Sequence, residues 1–247
     1  MTIIKTVTLV AAPPPDFIGT KITVEIPDGG ATWGIFNVTK AAESDCVSVK
    51  WGDGEETAST GDLVGVTHDY AEGGIYEVLV SDDAEVLCVS TSDSSAEVFR
   101  NEYAPMVREV RYVRGGTGLE ATLAAIGDGC FCNATALVSA DFNESRIAQL
   151  SNSAFDGCSS LVRIGVPASA TMMRDYALRG CAALGPRIAL PGVDLFTGWR
   201  SMLPFADCTS LTEIHFAAAN EAAIKESAVY RYKSHLGAPW ATIMFDL

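Results

Sequence analysis

Residues 153–167, Ser-Ala-Phe-Asp-Gly-Cys-Ser-Ser-Leu-Val-Arg-Ile-Gly-Val-Pro, decide the fold because versions of this stretch recur along the chain. Copies fall at residues 129–137, 176–191 and 204–216. The four copies are anchored by leucines that lie 24, 23 and 27 residues apart: Leu137, Leu161, Leu184 and Leu211. A repeat of this length is typical of a solenoid, in which each repeat stacks on its neighbours.

Each repeat is expected to contain one strand and one turn. The strands, such as Leu161–Val166 and Leu211–Phe216, are expected on the concave side, and the Ala-Phe-x-x-Cys segment is expected as a short helical turn on the other side. Stacking then places equivalent side chains in buried columns. One column contains Phe131, Phe155, Leu178 and Phe205, and a second contains Cys158, Cys181 and Cys208. Buried cysteine behaves as a small hydrophobic residue, so this column needs no redox chemistry.

The pattern Ala-Phe-x-Gly-Cys-x-Ser-Leu-x-x-Ile-x-Val-Pro resembles the BspA-type leucine-rich repeats of many bacterial surface proteins. The resemblance covers about 120 residues in four copies. The chain departs from the pattern at two places. Ala134 stands where the pattern has a cysteine, and the third copy has one extra residue, Gly185 or Pro186, before its strand. The resemblance implies a non-enzymatic module that binds protein or glycan at the cell surface.

The end of the chain has the features of a solenoid cap. Asn220 is predicted as the N-cap of a helix that continues to about Leu236, and Gly237 is predicted to stop it. Trp240–Phe245 is predicted as a last strand. Such an end covers the final repeat of a solenoid.

The first 90 residues instead alternate apolar and polar side chains with the period of half-buried strands. Strands are predicted at Lys21–Ile26, Trp33–Val38, Cys46–Trp51, Ile75–Val80 and Ala84–Ser90. Several short strands separated by glycine-rich turns indicate a β-sandwich. The fold class is therefore mainly β: a sandwich at residues 1–92, then a leucine-rich repeat solenoid with a C-terminal cap at residues 93–247.

Three motifs in the first part follow one another: Val-Ser-Val-Lys-Trp-Gly-Asp-Gly at 47–54, His-Asp-Tyr at 68–70, and Gly-Ile-Tyr-Glu-Val-Leu-Val at 74–80. They resemble those of PKD-type immunoglobulin-like domains, which implies that His68 has a structural use. Oxygen-rich turns also bind calcium, so a calcium site is an alternative here. Its ligands would be Asp53, Glu55, Glu56, Asp82 and Asp83. We favour an interpretation in which Asp53 caps the turn and the other carboxylates are solvated.

Charge separates the two parts and limits the partners. The net charge is −14, and residues 1–90 hold 15 acidic residues against 4 basic ones. Phosphate backbones and anionic membranes need basic clusters, so nucleic acid is not an expected partner. Because no apolar run is long enough to cross a bilayer, membrane insertion is not expected either.

No catalytic or metal-binding pattern emerges from the sequence. Seven cysteines are an odd number, and Cys130 and Cys132 are the one close pair, so neither a disulfide framework nor a zinc site is predicted. Cys181 or Cys208 with His215 would form a thiol dyad, but both cysteines occupy repeat positions. Gly115-Gly-Thr-Gly118 lacks the lysine of a phosphate-binding loop and is interpreted as a turn. No cofactor is therefore predicted, and the chain is not expected to be an enzyme.

Arginines are concentrated in the repeats, where some are expected to line one face. Such a face would bind acidic groups or a glycan, with aromatic side chains as stacking partners. The alternative is a solvated face whose arginines balance local carboxylates. Arg179 and Arg200 belong to the same series, and the candidate ligand-binding residues are Arg163, Arg174, Tyr176, Arg187 and Trp199.

The leading hypothesis is adhesion to a protein or glycan as part of a bacterial surface protein. The alternative is a structural or receptor-binding component of a phage particle, since residues 1–15 lack a clear signal-peptide core. The expected location is the cell surface or the medium if a signal peptide has been removed, and otherwise a phage particle or the cytoplasm.

Overall fold

The computed structural model describes residues 17–89, 103–114, 123–196, 203–227, 230 and 233–247. The first part contains strands β1 (Gly19–Ile26), β2 (Ala31–Lys40), β3 (Val47–Lys50), β4 (Glu56–Ser59), β5 (Leu63–Tyr70), β6 (Gly74–Ser81) and β7 (Ala84–Cys88). The second part contains β8 (Val107–Val113), β9 (Ala125–Ile126), β10 (Ser139–Asp141), β11 (Gln149–Leu150), β12 (Arg163–Gly165), β13 (Met172–Met173), β14 (Arg187–Leu190), β15 (Leu195–Phe196), β16 (Glu213–Phe216) and β17 (Thr242–Phe245). The mainly β fold class is confirmed.

Strands β1 to β7 form a two-sheet sandwich, as the alternating pattern predicts. In β1, for example, Ile22, Val24 and Ile26 face the core and are buried. The alternating pattern does not predict β4 and β5. Both are edge strands with little regular burial, and in β5 only the end residues Leu63 and Tyr70 are buried. The period-2 signal depends on one buried face, so it is weak in such strands.

The first sandwich sheet continues without a break into the repeats. Its strand order is β12-β10-β8-β1-β6-β3-β4, in which β8 lies antiparallel to β1 and parallel to β10. Val110 of β8 is paired with Ile22 on one side and with Ala140 on the other. The sandwich therefore covers the first repeat and protects a strand edge that would otherwise be open.

The second sandwich sheet also extends into the repeats. β9 pairs parallel to β7, and the backbone N–H of Ala148 donates to the carbonyl of Ala124 beside β11. The next turns continue as the parallel strands β11-β13-β15. Buried side chains form a continuous core through both parts. The boundary between the two parts at residues 92 and 93 stays a prediction, because residues 90–102 lie outside the described residues.

Each of the four repeat turns that contribute to the phenylalanine column has two residues with left-handed backbone, one on each side of the column residue. The position two residues before the column has φ of 65°, 51°, 58° and 32° at Gly129, Ser153, Tyr176 and Leu203. The position two residues after it has φ of 60°, 76°, 72° and 63°, at Asn133, Gly157, Gly180 and Asp207. The predicted helical turn is thus a non-helical tight turn. At residue 157 a side chain would also lie 2.5 Å from Asn133 Oδ1, so both the backbone and the space favour glycine.

Both predicted columns are confirmed, since all their side chains are fully buried. The Phe131 and Phe155 rings stack with centroids 5.3 Å apart. Each column cysteine donates its S–H to the carbonyl of the column residue in the preceding repeat. The donor–acceptor distances are 3.1 Å from Cys158 to Phe131, 3.2 Å from Cys181 to Phe155 and 3.1 Å from Cys208 to Leu178. The cysteines therefore also hold adjacent repeats in register.

The extra residue at Gly185-Pro186 interrupts the first sheet. Pro186 has no N–H to donate, and β14 begins a separate ladder with the order β14-β16-β17. One bond still crosses the interruption, from the N–H of Gly185 to the carbonyl of Val162. The strands therefore remain stacked as successive turns of one solenoid.

The predicted C-terminal helix and last strand are both present in the part of the chain that the structure describes. Helix α1 covers Glu221–Glu226, a 3-10 turn covers Lys233–Leu236, and β17 is the last strand. Asn220 occupies the N-cap position, as predicted, but its side chain makes no capping bond to the helix: its backbone angles are helical, and its amide donates to the carbonyls of Gly192 and Val193 instead. That side chain therefore ties the cap to the preceding turn rather than starting the helix.

Candidate functional site

One side of the solenoid is formed by β8, β10 and β12 and continues as β14, β16 and β17. The outer face of these strands is the most distinctive surface of the repeats. Strand pairing and repeat alignment place six side chains in one row across it: Glu109, Ser139, Arg163, Arg187, Glu213 and Thr242. Their chain neighbours Val110, Ala140, Ile188 and Ile214 are buried, so the row itself points away from the core.

Two arginines occupy the middle of the row. Arg163 and Arg187 begin successive strands, β12 and β14, and both are exposed. Neither guanidinium forms an ion pair or hydrogen bond with any residue in the described ranges. Like charges on adjacent turns repel, and Glu213, the neighbour of Arg187 in the row, pairs with His215 rather than with either arginine.

The polar side chains at the two ends of the row, by contrast, form hydrogen bonds within the chain. Ser139 donates to Glu109 Oε1 at 3.1 Å. At the other end His215 lies between two carboxylates, with Nε2 3.0 Å from Glu213 Oε2 and Nδ1 2.6 Å from Asp246 Oδ1. Only the central part of the row thus has charged groups that are available to a partner.

An apolar rim runs beside the arginines. Val138 and Val162 occupy equivalent positions just before β10 and β12 and are 47% and 44% exposed. Pro186 is exposed at the next turn, and Trp240 is 50% exposed at the last. Exposed apolar side chains in a line beside unpaired charges are typical of an interaction surface. We call Arg163, Arg187, Val138 and Val162 the arginine face.

Of the four predicted site residues that the structure describes, it brings two together. Arg163 and Arg187 share the arginine face, but Arg174 directly follows β13 in the other solenoid sheet, where its Nε donates to Gln149 Oε1 at 2.9 Å. Tyr176 lies in a repeat turn, and its ring covers the guanidinium of Arg179 at 4.4 Å. Trp199 lies outside the described residues, as do Arg200 and Gly115–Gly118.

Arg179 has an internal role. Its Nε donates to Asp156 Oδ1 at 2.9 Å and its Nη2 to Asp156 Oδ2, which joins two successive repeats through a two-pronged contact. The hydrogen bond to Asp156 raises the pKa of Arg179 above its ordinary value. Arg179 therefore balances a local carboxylate, which is the alternative that the sequence left open for the whole arginine series.

The thiol dyad does not form. Cys181 and Cys208 lie in the core, and hydrogen bonding between the column thiols, together with burial, raises the pKa of both. A thiol that stays protonated is a poor nucleophile. Both ring nitrogens of His215 contact carboxylates rather than sulfur.

In the sandwich, the Trp-Gly-Asp-Gly turn is closed by a carboxylate–histidine contact. His68 Nε2 lies 2.6 Å from Asp53 Oδ2, and the imidazole stacks on Trp51 with centroids 5.2 Å apart. The hydroxyl of Tyr70 donates to the carbonyl of Trp51 at 2.8 Å. Asp53 also accepts from the N–H of Glu55, so both residues serve the turn. No group of three or more potential metal ligands is found together in the described part of the chain.

Replacing Asp53 with asparagine should make the free energy of unfolding less sensitive to a fall in pH. Burial is the largest single influence and raises the pKa of Asp53, but the hydrogen bonds with His68 and with the backbone, together with the charge of His68, outweigh it, and the net shift is downward. The carboxylate therefore stabilises the fold fully above its unfolded pKa near 3.8, and this contribution is lost as the pH falls through the lower folded value.

Urea unfolding at pH 7 and pH 3 measures this effect. Asp53→Asn should cost up to about 1 kcal/mol at pH 7 and less at pH 3. Glu55→Gln is the control, because its carboxylate lies 3.8 Å from His68 and is largely exposed. An Asp53→Asn effect that is equal at both pH values would contradict the assignment.

The fold and the turn geometry define the second part of the chain as a leucine-rich repeat solenoid. Residues 117–234 match the family model described as "BspA type Leucine rich repeat region", in six copies. Leucine spacing had revealed four. The match includes none of the sandwich, so the resemblance of residues 47–80 to PKD-type domains stays a prediction.

Two solved structures are similar to the chain. A leucine-rich repeat protein of T. pallidum is 17% identical, with a TM-score of 0.35, and the match covers 56% of this chain and 69% of that one. A leucine-rich repeat protein from Bacteroides ovatus ATCC 8483 is 18% identical, with a TM-score of 0.37, over 56% of this chain and 36% of that one. No curated protein matches the chain.

Leucine-rich repeats of this type generally mediate protein binding and are typical of bacterial surface proteins. Within the described ranges, no helix has both the length and the apolar character required to span a membrane.

Proposed function

We propose that this chain is a non-enzymatic adhesion module that recognises an acidic segment of another protein through the arginine face. The observation that carries the proposal is the pair Arg163 and Arg187, exposed on successive turns and without a counter-ion among the described residues. In a chain of net charge −14, two such arginines side by side are unusual.

Electrostatics and geometry both favour a partner that carries carboxylates. Two carboxylates at the spacing of adjacent turns would offset the repulsion between the guanidinium groups, and each guanidinium can bind a carboxylate through two parallel hydrogen bonds. Val138 and Val162 extend the contact with apolar surface. An arginine pair beside apolar side chains has the composition of the energetically dominant part of many interfaces.

The setting of the face supports attachment as the biological role. Leucine-rich repeats of BspA type are typical of bacterial surface proteins, and we propose the cell surface as the location. The sandwich covers one end of the solenoid through two shared sheets and therefore holds the arginine face in a fixed orientation. Residues 1–92, as a PKD-like unit, would then present residues 93–247 to the partner.

A glycan is the other ligand class that the arginine series suggested. Its predicted stacking partners were Tyr176 and Trp199. Tyr176 is engaged by Arg179 on a repeat turn, away from the arginine face. We therefore favour a protein ligand at Arg163 and Arg187, and the experiment below includes glycans as the competing result.

The test is a protein and glycan array probed with the labelled chain, followed by titration of the strongest hit. Arg163→Glu with Arg187→Glu should weaken binding by about 10- to 100-fold, and binding by the unaltered chain should decline with added salt. Arg174→Glu is the control, because it makes the same change of residue type at one position in the other solenoid sheet. Loss of binding in Arg174→Glu with retention in the double variant would overturn the proposal.

A further inference from the structure

We propose that two copies of this chain associate through strand β17, whose free edge pairs antiparallel with the same edge of a second copy. In the part of the chain that the structure describes, β17 has a strand neighbour on one side only, namely β16. The opposite end of the solenoid is covered by the sandwich, so the two ends differ.

The two free edge strands of the sandwich, β4 and β5, contain charged residues, whereas β17 itself contains none. The edge strand β4 begins at Glu56, directly after Glu55, and the edge strand β5 contains His68 and Asp69. Charged side chains on an edge discourage the addition of a further strand. From Leu236 to Phe245 the chain has no Asp, Glu, Lys or Arg at all.

The distribution of net charge favours the C-terminal end for contact between identical chains. Two copies with a net charge of −14 repel each other over most of their surface. Residues 221–247, however, hold three acidic and three basic residues, which gives a net charge of zero. The C-terminal end is therefore a place where a second copy can approach without that penalty.

The last layer of the core is also incomplete. Ile214 and Phe216 of β16 are buried, whereas the equivalent Ile243 and Phe245 of β17 remain partly exposed. Tyr230 and Lys225 cover part of Phe245, with centroid distances of 6.1 Å and 5.4 Å. The remaining apolar surface gives a strand partner something to bury in addition to the backbone hydrogen bonds.

A second copy provides hydrogen-bond partners for the backbone N–H and C=O groups on the free edges of both β17 strands. A two-fold axis perpendicular to the sheet pairs two antiparallel β17 strands and keeps each face on its own side. The outward side chains Trp240, Thr242 and Met244 of both copies then share one face, and the inward side chains Ile243 and Phe245 join the two cores. Because Met244 lies near the middle of this edge, charges placed there in two copies come close together.

Substituting Met244 with a positively or a negatively charged residue tests the proposal. Met244→Lys and Met244→Glu are each examined by light scattering coupled to size exclusion across a concentration series, alone and as an equimolar mixture. Met244 is 37% exposed, so neither change places a charge in the core. Ala189→Lys is the matched control, because Ala189 is exposed at the same register position on β14, two strands away from the proposed interface.

The unaltered chain and Ala189→Lys should reach the mass of a dimer as concentration rises. Each Met244 variant alone should associate at least about tenfold more weakly, because like charges repel across the axis, and the mixture should recover dimers. A chain that stays monomeric throughout would overturn the proposal. So would dimers that survive both substitutions, or a mixture that fails to recover. Binding at the arginine face is measured separately, so either proposal can fail alone.

Discussion

Replacing Phe155 with alanine should lower the free energy of unfolding by about 3–5 kcal/mol. The side chain is fully buried, and its ring contacts those of Phe131 and Phe142 at centroid distances of 5.3 Å and 6.2 Å. Its removal leaves a cavity between repeats that are braced mainly by their neighbours. Chemical denaturation monitored by circular dichroism measures the loss.

Val162→Ala is the control for this prediction, since it truncates an exposed side chain in the same repeat. It should change the stability by less than about 0.5 kcal/mol. If Phe155→Ala were equally mild, the phenylalanine column and the repeat register built on it would be wrong.

Replacing Val110 with aspartate should unfold both parts of the chain together. Val110 is fully buried in β8, between Ile22 of the sandwich and Ala140 of the first repeat. An unpaired charge at this position costs about 4 kcal/mol or more, a large share of the 5–15 kcal/mol that stabilises a typical domain.

Two of the four tryptophans report on the sandwich in this experiment, which is done with Trp199 and Trp240 replaced by phenylalanine. Trp33 and Trp51 are buried there, so their fluorescence should shift together with the loss of repeat structure. Arg111→Asp is the control, because the next residue of β8 is exposed on the outer face. A Val110→Asp chain that kept the native fluorescence of the sandwich while losing the repeats would contradict coupling.

The repeat architecture could be predicted from the sequence because it is local and periodic. The leucine spacing and the columns through Phe155 and Cys158 follow from one alignment. The left-handed positions could be suspected at Gly157 and Gly180 but not at Tyr176 or Leu203, since their side chains do not indicate this backbone. Leu203 and Tyr176 adopt it because the repeat imposes it.

The junction could not be predicted in this way. The pairings of β8 with β1 and of β9 with β7 join residues far apart in the chain, and no periodicity spans them. A change in charge composition near residue 90 suggested separate units, but surface charge does not report which strands share a sheet. Chain direction, twist and the need to cover the first repeat determine the pairing.

The candidate site was predictable in part. The repeat alignment gives Arg163 and Arg187 equivalent positions, and both lie on the arginine face. Arg174 and Tyr176 were grouped with them by residue type, although they occupy a different phase of the repeat and therefore a different side of the solenoid. The absence of counter-ions within the described ranges depends on tertiary structure and has no signature in the sequence.

Hydrogen exchange along the intact chain tests the central claim that the sandwich and the solenoid share one continuous core. The slowest amides of β1, β8 and β10 should exchange with the same free energy and the same dependence on denaturant, because these strands are hydrogen-bonded neighbours in one sheet. Two separate free energies, one for the sandwich strands and one for the repeat strands, would contradict it.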